Sequence, residues 1–123
     1  MHWLFVFLGG GLGSMGRYSL ALLFSRFPGF PYGTLAANTL GGLIMGICVY
    51  LMVERGLFGQ WKLFVMVGAL GGFTTFSSFG SDTFLLVKQA AYQKAIIYVL
   101  LTNFAVLSCV FGGYFLAKKI LFD

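Results

Sequence analysis

Apolar residues fill the chain in four long runs, Trp3 to Phe24, Tyr32 to Val53, Trp61 to Lys88 and Ala95 to Ala117. A helix that crosses a bilayer needs about 20 predominantly apolar residues, and each run reaches that length. The punctuation between them is short and polar. Arg26-Phe27-Pro28-Gly29-Phe30-Pro31 holds both prolines and reads as a tight turn, Glu54 to Gln60 forms a second link and Lys88 to Lys94 a third. Connectors this short make successive helices antiparallel neighbours. The pattern predicts four transmembrane helices, over about residues 3–24, 32–53, 61–88 and 95–117.

Composition points the same way. The chain has 123 residues, 59% of them hydrophobic and 9% charged, where a soluble domain carries about a quarter charged residues. An ordinary water-soluble protein is excluded, and so is a disordered one, because such an apolar chain cannot stay solvated. Residues 1–123 make one domain, an all-α, multi-pass membrane protein with the lipid bilayer as its first partner. The net charge of +5 could indicate nucleic acid, but the basic residues are scattered singly, mostly at the ends of apolar runs where they reach the head groups. No nucleic-acid partner is expected. Cys48 and Cys109 lie singly in apolar stretches without ligand spacing, and His2 sits at the start of the chain. The first run has no basic segment before it and no small-residue cleavage site after it, so a cleavable signal is not expected.

Topology is left open by the charges. Arg55, Lys62, Lys118 and Lys119 fall on one side of the membrane, and Arg26, Lys88 and Lys94 on the other. With so little bias, either a single lysine sets the orientation or the chain inserts both ways and pairs with itself antiparallel. Glycines four apart recur at Gly9 and Gly13, Gly42 and Gly46, and Gly68 and Gly72, with Gly112-Gly113 in the last run. Such spacing lets helix backbones approach closely in lipid.

Gly11-Leu12-Gly13-Ser14-Met15-Gly16 matches a dinucleotide fingerprint in letters only. Spanning-helix material precedes it, and no acid follows about twenty residues on to hold a ribose. Glu54, Asp82 and Asp123 are far apart, and no serine or cysteine has a histidine to activate it. An enzyme is not expected.

Polar residues inside the spans carry more information, because polar groups in hydrocarbon are costly and mark pathways. Thr34 and Asn38 share one face of the second span, with Thr39 beside them. In the third, Gly71 to Ser81 packs three glycines and five hydroxyl residues into eleven positions. That composition predicts a broken helix, whose irregular backbone is tolerated only when protein or a water-filled cavity surrounds it. Freed carbonyls there can coordinate a cation. Phe76 and Phe79 leave the same side of a helical or tight-turn segment, and a phenyl ring has a positive edge. Ring edges, an Asn donor and hydroxyls make a coat for a small dehydrated anion. Tyr98 and Thr102 add a further pair, four apart, on the fourth span.

These residues resemble the Fluc (CrcB) fluoride channel family. Gly9-Gly10 through Arg17-Tyr18 is similar to its glycine-rich opening, Gly33 to Gly41 to its second-span motif, and Gly71 to Phe79 to its signature break. The resemblance implies a passive, selective fluoride channel of the bacterial cytoplasmic (inner) membrane, built as a dual-topology antiparallel homodimer with two pores. By position, Asn38 would donate to fluoride, and Phe76 and Phe79 would present ring edges. Thr34, Ser77, Ser78, Tyr98 and Thr102 would be candidates for a hydroxyl track. Gly71 and Thr74 would give backbone carbonyls to one structural sodium ion (Na+) on the dimer axis. Arg17 would lie near the pore vestibule, as would Asp82, which stands where the family usually has a glutamate.

Two other classes fit the size. A dual-topology multidrug exporter needs a carboxylate inside its first span, and here that span has Ser14 and Arg17 but no acid. A helper or lysis protein would need neither the Thr34/Asn38 pair nor the glycine–threonine–phenylalanine run.

Overall fold

The structure is a computed structural model and describes residues 1–122, with Asp123 outside the described residues. Among the described residues it is all-helical. Helix α1 is His2–Phe24, α2 is Tyr32–Arg55, and the third apolar run opens with a π-wound segment, Leu63–Leu70. One α turn, α3 (Gly71–Phe73), follows it directly; α4 is Phe76–Lys88 and α5 is Tyr92–Phe122.

Tyr32–Arg55, Leu63–Lys88 and Tyr92–Leu121 are each long and apolar enough to cross a membrane. Helix α1 is different. Its 23 residues would span about 35 Å, ample for a hydrocarbon core of about 30 Å, but it does not reach the apolarity of the other three. The cause is local: five glycines, Ser14, Arg17, Tyr18 and Ser19 dilute the Leu and Phe residues at its two ends. The four-span expectation is therefore met by length in all four runs and by apolarity in three.

Local chemistry sets the ends. Gly56 terminates α2 with φ +60°, a left-handed conformation that costs glycine nothing. There Gly56 N–H bonds Met52 O and Leu57 N–H bonds Leu51 O, both at 3.1 Å, which satisfies the last carbonyls of the helix. Between α4 and α5 only Gln89 to Ala91 are non-helical, with Ala90 at φ +56°. The last helix thus starts earlier and ends later than the apolar run from 95 to 117. In the π-wound segment the chain turns wide enough for Gly71 N–H to reach Met66 O, five residues back. Leu63–Leu70 is apolar except for Gly68 and carries no sequence mark of that winding.

Two glycine seams hold the helices together. A Cβ on Gly9 or Gly13 would collide with the backbone of Phe64 to Phe73, and one on Gly72 with the backbone of Gly10. On the other side, a Cβ on Gly46 would meet Val110 O, and one on Gly113 would meet Leu43 O. Helix α1 therefore docks on the π-wound segment and α3, and α2 docks on α5. Helix α4 packs mainly on α5, and among the described residues the backbone of α1 packs on neither α4 nor α5. The third span thus begins against α1 and ends against α5, and it changes partner at Thr74 and Thr75.

We expect Gly46→Ala to lower unfolding stability by about 1–3 kcal/mol through overpacking. Gly112→Ala, where a methyl group meets open space, should be near neutral. Denaturation in detergent compares the two, and equal stabilities would show that the seam can part without cost.

Candidate functional site: a cavity at the helix crossover

Thr74 (ψ 153°) and Thr75 (φ −153°, ψ 119°) are extended, so the helical ladder stops between α3 and α4. Backbone removed from a helix at membrane depth must find other partners. Asn38 of α2 supplies them. Its Oδ1 accepts the Thr75 N–H at 2.7 Å, and its Nδ2 donates to Thr75 O at 3.0 Å. Asn38 is buried, 8% exposed, and Gly41, one turn on, leaves the space that the Thr74 methyl group enters. An amide has two N–H hydrogens, so one remains after this clamp.

Thr75 also starts the next helix. Its Oγ1 accepts the Ser78 N–H at 3.1 Å, an N-cap, and lies 3.1 and 3.2 Å from the Ser78 and Ser77 hydroxyls. Two helical donors are thereby diverted. Thr75 N–H would otherwise bond the Gly71 carbonyl, and Ser78 N–H the Thr74 carbonyl. Neither carbonyl receives that helical donor.

Around this crossover the residues singled out in the sequence fall into three groups. Asn38, Thr74, Phe76, Phe79 and Thr102 line one cavity of about 360 Å³. The Thr102 hydroxyl there is buried, with no hydrogen-bond partner. Phe79 is buried, whereas Phe76 is 81% exposed, and their ring centroids are 5.4 Å apart. None of the residues lining this cavity is ionisable.

The second group gathers on Asp82. Thr34 Oγ1 donates to Asp82 Oδ2 at 2.7 Å, and Tyr98 OH donates to the same oxygen at 3.2 Å. One carboxylate oxygen thus joins α2, α4 and α5. Tyr98 is fully buried, its ring 5.3 Å from Phe79 and edge-on to Phe30 at 5.5 Å. Thr34 and Tyr98 therefore stand behind the phenylalanine pair and do not line the Asn38 cavity.

Arg17 forms the third group. Its Nε donates to Gly72 O at 3.2 Å and its Nη1 lies 3.5 Å from Ser78 Oγ, while Ser14 Oγ reaches the same Gly72 carbonyl at 3.5 Å. A smaller cavity of about 220 Å³ is lined by Arg17, Ser14, Tyr18, Thr34 and Ser78. Ser77 is exposed and belongs to neither cavity.

Sequence reasoning passed over Thr75, which is both clamped and capping, and Gly72, which accepts from Arg17. The spacing of Thr75 and Ser78 is an N-cap signature that could have marked the first. The second depends on where α1 docks and leaves no local mark.

The family model described as "CrcB-like protein, Camphor Resistance (CrcB)" matches residues 4–114. This chain belongs to the CrcB family. Curated CrcB relatives share the length as well as the pattern. The chain is 41% identical over 121 residues to a "Fluoride-specific ion channel FluC" of Phenylobacterium zucineum, covering 95% of each chain. It is 43% identical over 115 residues to a protein of the same name from Thermus thermophilus, covering 92% of each. A third, from Helicobacter acinonychis, is 41% identical over 116 residues and 91% of each chain. These CrcB relatives are channels and not enzymes.

The clamp makes a direct prediction for this CrcB chain. Asn38→Leu removes both the acceptor of Thr75 N–H and the donor to Thr75 O, so the variant should lose about 1–3 kcal/mol of stability. The Thr75 amide should exchange hydrogen faster, read by hydrogen–deuterium exchange. Unchanged exchange at Thr75 would mean that the amide is held by something else.

Proposed function

We propose that the chain is a passive, selective fluoride channel that lets fluoride leave the cytoplasm. The names of its relatives support this, and the Asn38 cavity supplies the chemistry. Its carrying observation is the Thr102 hydroxyl, 5% exposed and unpartnered, on the wall that also holds Asn38, Phe76 and Phe79. A buried hydroxyl without a partner is costly, and an anion beside it would accept its hydrogen bond.

Fluoride in this cavity would accept from Thr102 and from the spare Asn38 hydrogen, with the positive edges of Phe76 and Phe79 completing its shell. Such donors are neutral, so they replace water without trapping the ion as a fixed cation would. A cavity lined by no titratable group offers nothing to couple transport to protons, which favours passive flow over exchange. Ser77 and Ser78 would extend the hydroxyl track at the crossover, and Thr34 and Tyr98 would border it, their hydroxyl hydrogens given to Asp82. Arg17 and Asp82 would sit at the vestibule, Arg17 gathering anions and holding the carbonyl of Gly72.

The reading includes a second copy of the chain. Phe76 projects from the body, 81% exposed, and one chain covers only one side of it. An antiparallel, dual-topology homodimer would enclose two such pores, in agreement with the even distribution of basic residues. In that assembly α1 would be the fourth span, its glycines and Arg17 covered by protein. The extended Thr74–Thr75 pair would be the break in the third span, and a bacterial cytoplasmic membrane would be the setting.

A structural sodium ion fits the residues present. Among the described residues no group of His, Cys, Asp or Glu could hold a metal, but the Gly71 and Thr74 carbonyls have both lost their helical donors. Alkali cations take oxygen ligands of this kind, as at the unwound segments of transporters. Gly71 and Thr74 would hold the ion, and its charge would tie two copies together at the crossover.

Purified protein in liposomes should release fluoride rapidly and electrogenically while retaining chloride at an equal gradient. Phe76→Ile should slow that release by roughly tenfold, whereas Leu100→Ile, at an exposed position of α5, should leave it unchanged. No fluoride release from folded dimers would overturn the channel reading, and equal effects of the two variants would reduce Phe76 to packing.

A further inference from the structure

A separate cavity of about 340 Å³ lies where α1 runs into α2, under the Arg26–Pro31 turn. Its walls include four aromatic rings, Phe24, Phe27, Phe30 and Tyr32, and it also reaches Thr34 and Asp82. The rings form a connected set. Phe24 stands 6.3 Å from Phe27 and 6.4 Å from Tyr32, and Phe30 stands 4.9 Å from Tyr32, all with tilted planes.

Asp82 brings a charge to this lining that the fold leaves unmatched. Both of its hydrogen bonds, from Thr34 and Tyr98, fall on Oδ2, and among the described residues its other oxygen accepts from no donor and pairs with no cation. No basic residue lines the cavity. The Lys94 ammonium lies beside Gly29, one of the lining residues. A partly buried carboxylate without a counter-ion is unfavourable, and aromatic faces carry negative potential.

We propose that this cavity binds a small organic ammonium group. The Asp82 carboxylate meets the positive charge, and the rings surround the carbon substituents, the arrangement by which aromatic cages hold quaternary ammonium ions. A metal ion fits less well. It would need several oxygen ligands, usually with more than one carboxylate, and Asp82 is the one acidic residue of the lining. Lys94, together with Arg26 and Lys88 on adjoining turns, opposes a second positive charge, so the occupant is a monocation. The cavity lies between the end of α1 and the start of α2, which in a bilayer would bring it near the lipid head groups. Its occupant is therefore either the ammonium of a zwitterionic phospholipid or a free amine from solution. The site uses none of the Asn38 cavity but shares Thr34 and Asp82 with the proposed fluoride pathway, so it is tested by a readout that does not depend on transport.

The test is binding, not flux. Tetramethylammonium chloride is titrated into the full-length protein in nanodiscs by calorimetry, with saturation-transfer NMR as a second reading. We expect saturable binding that 3,3-dimethylbutan-1-ol, the uncharged analogue of choline, does not displace. Asp82→Asn should weaken it by about tenfold or more. Phe27→Leu, at a half-exposed ring whose loss leaves the helices intact, should weaken it severalfold. Nanodiscs of phosphatidylethanolamine and of phosphatidylglycerol separate the sources: weaker apparent affinity in the first assigns the head group as occupant, and equal affinity assigns a soluble amine. Absence of saturable binding to the wild-type protein overturns the proposal. So does full affinity in Phe27→Leu, or displacement by the uncharged alcohol.

Discussion

Everything at the centre of this molecule turns on the pair of hydrogen bonds between Asn38 and Thr75. Hydrocarbon offers no water to a peptide group, so a spanning helix can stop and restart only where protein replaces the lost ladder. One amide side chain does this by matching donor to acceptor on both sides of a single residue. The remaining departures follow from it. With Thr75 held extended, its hydroxyl is free to cap α4, the Gly71 and Thr74 carbonyls lose their helical donors, and the third span can leave α1 for α5.

Close packing makes that exchange of partners possible. The glycines of α1 and of the π-wound segment bring two backbones together on one side, and Gly46 and Gly113 do the same for α2 and α5 on the other. Between these seams the side chains of α2, α4 and α5 converge, giving the Asn38 cavity in front of Phe79 and the Asp82 cluster behind it. Phe79 touches both, its ring tilted against those of Phe76 and Tyr98. A single chain nevertheless leaves Phe76 and much of the apolar surface uncovered. Lipid accounts for scattered aliphatic residues, but a protruding ring beside a polar cavity is better matched by protein, which is why the proposed channel is an assembly of two chains.

Much of the site was legible from residue type alone. Asn38, Thr102 and the Phe76/Phe79 pair stand out because polar groups and glycine-hydroxyl runs are expensive inside apolar spans, and these four do line one cavity. Thr34 was legible as a polar position but not as to its partner. It shares a helical face with Asn38 by spacing, yet its hydroxyl turns to Asp82, a residue 48 positions away. Arg17 was equally visible as a charge in a span, whereas its bond to Gly72 O depends on the docking of α1.

The pattern of apolar and polar residues was enough, without coordinates, to make this an all-helical membrane protein, to put its turns at the prolines and at Gly56, and to single out Gly71–Ser81, the stretch in which Thr74 and Thr75 are extended. Those conclusions rest on local costs, of solvating apolar surface and of bending backbone, that each residue carries with it. Partnerships are another matter. The π winding of Leu63–Leu70, the use of both polar ends of Asn38 on one residue, and the gathering of Thr34 and Tyr98 on one oxygen of Asp82 are set by which helix faces meet and at what register. Their energies come from pairs of residues far apart in the chain, and no single position encodes them.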